Sequence, residues 1–92
     1  MNNYHDEDTK RLIKVFSLMK NENDIENFIN DLCTIKEVKD MSKRLLCAIK
    51  LINGEVYQDI IDETGISSAT LSRINQCIKY GDGGYKKAID LL

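Results

Sequence analysis

The residues best suited to contact another molecule lie between positions 67 and 79, where small and polar side chains occupy one side of a predicted helix. At about 100° per residue, Leu71, Ile74 and Ile78 cluster on one side of this helix. The opposite side carries side chains that are very small or that form hydrogen bonds: Ala69, Ser72, Arg73 and Gln76, with Lys79 next to them. Such a helix fits the major groove of DNA, where Ala69 can touch a thymine methyl group and the polar side chains can reach base edges or phosphates.

Gly65 precedes this helix and predicts a sharp turn, because glycine adopts positive φ at little steric cost. Two helices joined by such a turn form a helix-turn-helix, predicted here over residues 57–79, in which Ser67 can cap the second helix. Apolar side chains around the turn are predicted to hold the two helices together: Ile60, Ile61, Ile66, Leu71 and Ile74. The same small residues can serve only to cap a helix, and a glycine can form a simple corner, so the pattern leaves a purely structural role open.

The rest of the chain also predicts helices. It has no proline and no alternating run rich in Val and Ile, so the expected fold is all-α. A first helix is predicted over about 8–20, and a second helix is predicted to be capped by Asp24. The residues "TIKE" at 34–37 form a capping box that opens a long third helix, which is expected to stop at Gly54. Shorter helices are predicted over 57–64, over 68–79 and within the final "YKKAIDLL".

A chain of 92 residues predicts a single helical domain over 1–92. Within it we expect N-terminal dimerisation helices at 1–33, the helix-turn-helix at 57–79, and a C-terminal loop and helix at 80–92. The third helix is apolar on more than one side and a core of this size is thin, so the chain is expected to pair with a second copy. Tyr80 and Tyr85, which flank "GDGG", are expected to pack and fix this loop rather than to stack on bases.

Several functional classes lack the residues that they require. His5 is the only histidine and is expected to be a solvated terminal residue, and no catalytic set or phosphate-binding loop accompanies it, which argues against an enzyme. Cys33, Cys47 and Cys77 are far apart and are expected to be small buried thiols, so neither a metal site nor a cofactor is predicted. No apolar run approaches the length of a membrane span and no signal core is present, which favours the cytoplasm.

These motifs together resemble the YerC/YecD branch of the tryptophan repressor superfamily. The similarity covers roughly residues 28–92 and is most specific in "LCT", "NGEVYQDIIDETG", "SSATLSRIN" and "YGDGGY". It implies a six-helix fold, an intertwined homodimer, and a helix-turn-helix that binds operator DNA as a transcriptional regulator. It also implies that Arg44 and Arg73 stand where the repressor holds tryptophan between two arginines. The positions implied to contact DNA are Gln58 at the start of the motif and Ser68, Ala69, Thr70 and Ser72 in its second helix.

Three departures from the repressor change what the resemblance implies. The turn is two residues shorter than in the repressor. Ile74 stands where the repressor has a glycine that opens the tryptophan pocket, so tryptophan is not expected as the corepressor. Asp59 and Asp62 replace basic residues that face DNA phosphates, so fewer attractive contacts are expected. Arg44 is open to a second interpretation, as an exposed basic residue on a helix without a ligand.

A second functional class fits the same fold. A helical protein–protein interaction module that has lost DNA binding is favoured by the net charge of −2 and by the acidic residues around the motif, Asp59, Asp62 and Glu63. Basic residues near the second helix favour DNA: Arg73, Lys79, Lys86 and Lys87. A small-molecule effector is not identified by the sequence.

Overall fold

The computed structural model describes residues 6–92, which form six α-helices. The helices are α1 (Glu7–Leu18), α2 (Glu22–Leu32), α3 (Ile35–Ile52), α4 (Tyr57–Thr64), α5 (Ser68–Tyr80) and α6 (Gly84–Asp90). The all-α, six-helix prediction is therefore confirmed, with most helix ends within two residues of their expected positions. His5 lies outside the described residues. Among residues 6–92, no helix combines the length and the apolar character that crossing a membrane requires.

The helix starts show which capping predictions were correct. Thr34 and Glu37 form the predicted capping box, in which the Thr34 N–H donates to Glu37 Oε1 (2.8 Å) and the Glu37 N–H donates to Thr34 Oγ1 (3.1 Å). The Thr34 N–H holds the pKa of the Glu37 carboxyl below its usual value. The prediction that Asp24 caps α2 was wrong. Asn21 has the extended backbone of a capping residue, and its Oδ1 accepts a hydrogen bond from the Asp24 N–H at 2.8 Å.

The chain divides into two compact units between Val38 and Lys39, inside α3. In the first unit, the rings of Phe16 and Phe28 meet edge to face with their centroids 5.3 Å apart. Neither α1 nor α2 contains a buried residue. Aromatic contact thus joins two helices whose apolar sides are left largely uncovered.

The second unit contains the buried core, and this core surrounds the predicted helix-turn-helix. Its buried members come from α3, α4, the turn and α5: Cys47, Ala48, Ile60, Ile66, Leu71 and Ile74. Partly buried side chains pack around them: Leu51, Ile61, Ile78, Tyr85 and Ile89. The five apolar residues predicted to hold the motif together all belong to this cluster, with Ile61 at its edge. The core therefore fixes α5 from one side only.

Lys50, near the end of α3, forms a salt bridge to α4. Lys50 Nζ lies 2.5 Å from Glu63 Oε2 and 3.4 Å from Glu55 Oε1, and only 18% of its side chain is exposed. The hydrogen bond to Glu63 is the main cause of the raised pKa of Lys50, and Glu55 adds to it while desolvation opposes it. One cation thus links α3, the α3–α4 loop and the last turn of α4.

The cysteines differ from their prediction. All three are free thiols, but only Cys47 is buried, whereas Cys33 is half-buried and Cys77 is exposed. Cys77 lies on α5 close to its end, where the core no longer covers that side of the helix. Within residues 6–92, no cluster of three or more His, Cys, Asp or Glu side chains could hold a metal ion.

Replacing Gly65 with alanine tests the turn between α4 and α5. Gly65 has a φ of 72°, and an alanine forced into this left-handed region costs roughly 1–2 kcal/mol, although its Cβ would meet no atom within 4 Å. We expect Gly65→Ala to lower the free energy of unfolding by that amount, measured by urea unfolding at a fixed protein concentration. Gly84→Ala is the matched control, because Gly84 has open space without positive φ. Equal losses in both variants would contradict the role of the left-handed turn.

Candidate nucleic-acid interface

The exposed side of α5 is the side that the sequence predicted. Leu71 and Ile74 are buried, at 0% and 3% exposure. The side chains predicted to face a groove are all exposed: Ala69, Ser72, Arg73, Gln76 and Lys79. The structure therefore gives α5 one apolar side in the core and one small or polar side open to another molecule.

The start of α5 is held by a pair of hydroxyl groups. Ser67 Oγ accepts the Thr70 N–H at 3.1 Å and donates to Thr70 Oγ1 at 2.8 Å. Ser67 thus acts as the helix cap, as predicted, and its single hydroxyl proton is used within the chain. Thr70 keeps its own hydroxyl proton and is half-buried, whereas Ser68 is exposed. Of these hydroxyls, Ser68 and Thr70 have more hydrogen-bonding capacity left than Ser67.

The surface of α4 near the motif is acidic. Gln58, predicted to contact DNA, donates from Nε2 to Asp62 Oδ1 at 2.8 Å. An amide nitrogen has two donors, so one donor of Gln58 is left for another partner. Asp59 and Asp62 are both exposed, while Glu63 is paired with Lys50. α4 therefore offers little attraction to a phosphate.

A cleft of 220 Å³ lies between α3 and the start of α5. Its lining residues are Asp40, Lys43, Arg44, Gly65, Ile66, Ser67 and Thr70. Arg44, one of the two arginines implied to hold a ligand, is therefore at a cleft. Arg73 is not part of this lining, so the two arginines do not face each other across it.

Tyr85 lies partly buried beside the second helix of the motif. Burial is the main cause of the raised pKa of the Tyr85 phenol, and Arg44 and Arg73 oppose that rise through their positive charge. Tyr85 packs against the core, as predicted, and Ile74 is itself part of that core. Tyr85 and Ile74 therefore belong to one apolar cluster.

Tyr80 is the surface residue that sequence reasoning placed wrongly. It was expected to pack against the loop, but it is 75% exposed. The physical reason is that α5 continues through Tyr80, four residues beyond Gln76 and seven beyond Arg73, on the exposed side of the helix. Extending the helical wheel by one residue past Lys79 would have found it.

Comparisons with known proteins agree with this fold. Residues 7–92 match the family described as Trp repressor protein. The uncharacterized protein YerC of Bacillus subtilis (strain 168) is 39% identical over 84 residues, covering 88% of this chain and 81% of YerC. A solved structure of a TrpR-like protein from Eubacterium eligens ATCC 27750 has a TM-score of 0.85 at 31% identity, covering 94% of this chain and 89% of that chain. A Trp repressor candidate from Staphylococcus aureus has a TM-score of 0.85 at 29% identity, covering 94% and 86%.

The chain therefore belongs to the Trp repressor family, a family of non-enzymatic regulators. Among its relatives, YerC supports the narrower resemblance that the sequence motifs indicated. The family and the six-helix fold are thus established.

Free L-tryptophan is not expected to bind tightly. Ile74 is buried in the core, and Arg73 does not line the cleft beside Arg44. Titration calorimetry on the full chain should show no binding in the micromolar range. Arg44→Ala should give the same flat titration as the parent chain. A titration of the parent chain with a micromolar dissociation constant that is lost in Arg44→Ala would show that the arginine does hold this ligand.

Proposed function

We propose that this chain is a sequence-specific DNA-binding transcription regulator that acts in the cytoplasm as a homodimer through its helix-turn-helix. The observation that carries the proposal is the exposed side of α5, which has small side chains at its start and polar side chains farther along. A buried core supports this helix from behind, as a recognition helix requires. Membership of the Trp repressor family supports the same conclusion.

The residues proposed to contact DNA have different chemical roles. Ser68 and Ala69 occupy the first turn of α5, where small side chains allow the helix to approach base pairs closely. Ser72 and Gln76 can exchange hydrogen bonds with base edges, whereas Arg73 and Lys79 can hold phosphates through their charge. The remaining proposed contacts, Gln58, Ser67 and Thr70, already use part of their hydrogen-bonding capacity within the chain.

An interaction module that has lost DNA binding is the alternative function. It is supported by the exposed carboxylates of α4 and by the net charge of −2, both of which oppose approach to phosphates. The DNA proposal requires that contacts from α5 outweigh this repulsion. It therefore implies a modest salt dependence, because affinity falls with salt in proportion to the number of phosphates neutralised.

Homodimerisation is proposed because large apolar side chains remain exposed in each compact unit. In the first unit, Leu12 and Phe16 are both 37% exposed. In the second unit, α3 exposes Met41 (45%), Leu45 (38%) and Leu46 (45%). Apolar surface of this kind marks an interaction site, and a second copy is the commonest partner for a small soluble chain.

The dimer sets the expected form of the DNA site. In a two-fold assembly the two copies of α5 enter successive major grooves about 34 Å apart. The preferred site is then a near-palindrome whose half-sites are one helical turn apart.

Selection of duplexes from a random pool, followed by affinity measurements, tests DNA recognition. We expect the selected site to be a near-palindrome. Gln76→Ala should cost roughly 1–3 kcal/mol of binding free energy and relax the preference at one position per half-site, because a base contact is lost. Arg73→Ala should weaken binding to all duplexes alike and flatten the salt dependence, because a phosphate contact is lost.

Arg11→Ala is the matched control for these variants. Arg11 is exposed on α1 and pairs with Asp8 at 3.2 Å, so its removal should leave the DNA affinity unchanged. Circular dichroism establishes that each variant is folded. Folded Arg73 and Gln76 variants that bind the selected duplex as tightly as the parent chain would refute the recognition surface. Failure to select any duplex would favour the interaction module.

Sedimentation equilibrium tests the homodimer. The full chain should sediment as a dimer at micromolar concentration, and Leu45→Lys should shift it towards the monomer because a charge then lies on an apolar interface. Asn30→Lys is the control, since it adds the same charge at an exposed polar position of α2. Removing residues 1–20 should also weaken the dimer. A stable folded monomer of the full chain at these concentrations would contradict the assembly.

A further inference from the structure

Four exposed side chains form one row along the whole length of α5. Ala69, Arg73, Gln76 and Tyr80 follow one another at intervals of four, three and four residues, and such intervals place side chains along one line of a helix. Tyr80, at the end of this row, is 75% exposed. At 1.5 Å per residue, the distance along α5 from Ala69 to Tyr80 is about 17 Å.

This row is longer than the groove is wide. The major groove of B-DNA is about 12 Å wide and about 8.5 Å deep. When the first turn of α5 lies against the bases, the far end of this row, about 17 Å away, reaches past the base edges. The groups that border the groove there are phosphates and sugars.

Tyr80 lies in the last turn of α5. The Gly81 N–H donates to the Cys77 carbonyl oxygen at 2.9 Å, which closes the last turn of α5. Lys79 is exposed beside Tyr80 and adds a positive charge to the same end. A tyrosine in this position presents a hydroxyl donor at the tip of a ring whose faces are open.

We propose that Tyr80 contacts the DNA backbone, with its phenol donating a hydrogen bond to a phosphate at the edge of the major groove and its ring lying against the adjacent sugar. This inference rests on the proposed function and extends the contact surface beyond residues 67–79. Such a contact fixes the orientation of α5 on the duplex and carries no information about base sequence.

Affinities of Tyr80→Phe, Tyr80→Ala and Lys79→Met for selected and scrambled duplexes, each measured at several salt concentrations, test the proposal. Tyr80→Phe should weaken binding to every duplex alike by roughly tenfold to a hundredfold, because a hydrogen bond to a charged group is lost. Its salt dependence should match that of the parent chain, since a neutral phenol releases no counterion. Lys79→Met should instead reduce the salt slope by about two for the dimer, which is about one for each copy. Tyr80→Ala should lose more affinity than Tyr80→Phe, because the ring is lost as well.

Tyr85→Phe is the matched control, because it removes the same hydroxyl from a tyrosine that packs against the core. It should leave DNA affinity unchanged. Unchanged DNA affinity in Tyr80→Phe would overturn the proposal. An altered preference at one base pair would also overturn it, because that result would indicate a base contact. A weaker dimer on sedimentation would assign Tyr80 to the interface between copies and would also overturn it. A parent chain that binds no duplex refutes the proposed function itself, whereas a parent chain that binds while Tyr80→Phe is unaffected refutes this inference alone.

Discussion

Burial of Leu71 and Ile74 against α3 and α4 is the constraint on which the rest of the surface depends. Leu71 and Ile60 are fully buried, and Cys47 and Ala48 of α3 complete the same cluster. Once two positions of α5 are fixed in this core, the helical period decides which side chains point away from it. The exposed row is therefore a consequence of the packing. A change that rotates α5 in the core would alter every contact proposed for α5 at once.

Electrostatics and packing act at different places in this motif. Lys50 is drawn between two carboxylates and ties α4 to α3, so its charge serves the fold. Gln58 and Asp62 similarly satisfy each other along α4. Within residues 57–79, the exposed positive groups are Arg73 and Lys79, and both belong to α5. The first helix of the motif is thus built mainly to support the second, and little of its surface attracts an anion.

The helices and the core were predictable because both depend on the spacing of apolar residues along the sequence. Apolar spacing indicated which side of α5 is buried, and glycine marked the left-handed turn, where φ is 72°. The choice between neighbouring residues that can form the same hydrogen bond was harder to predict. Asn21 and Asp24 can each cap a helix, and only the backbone conformation shows that Asn21 does so. The hydrogen bond between Gln58 and Asp62 and the cleft beside Arg44 depend on side-chain positions that a one-dimensional pattern does not contain. The exposure of Tyr80 was missed because the helix was ended one residue too early.

The closure of α5 at Gly81 also restricts how this sequence can diverge. A Cβ at position 81 would lie 2.4 Å from the carbonyl oxygen of Cys77, a backbone atom that cannot rotate away. Any other amino acid would therefore require the backbone to shift, although Gly81 does not have positive φ. Gly84, three residues later, has open space around it and accepts substitution. The end of α5 is consequently restricted in sequence at Gly81, and the loop that follows is restricted at Gly83, whose φ of 80° favours glycine.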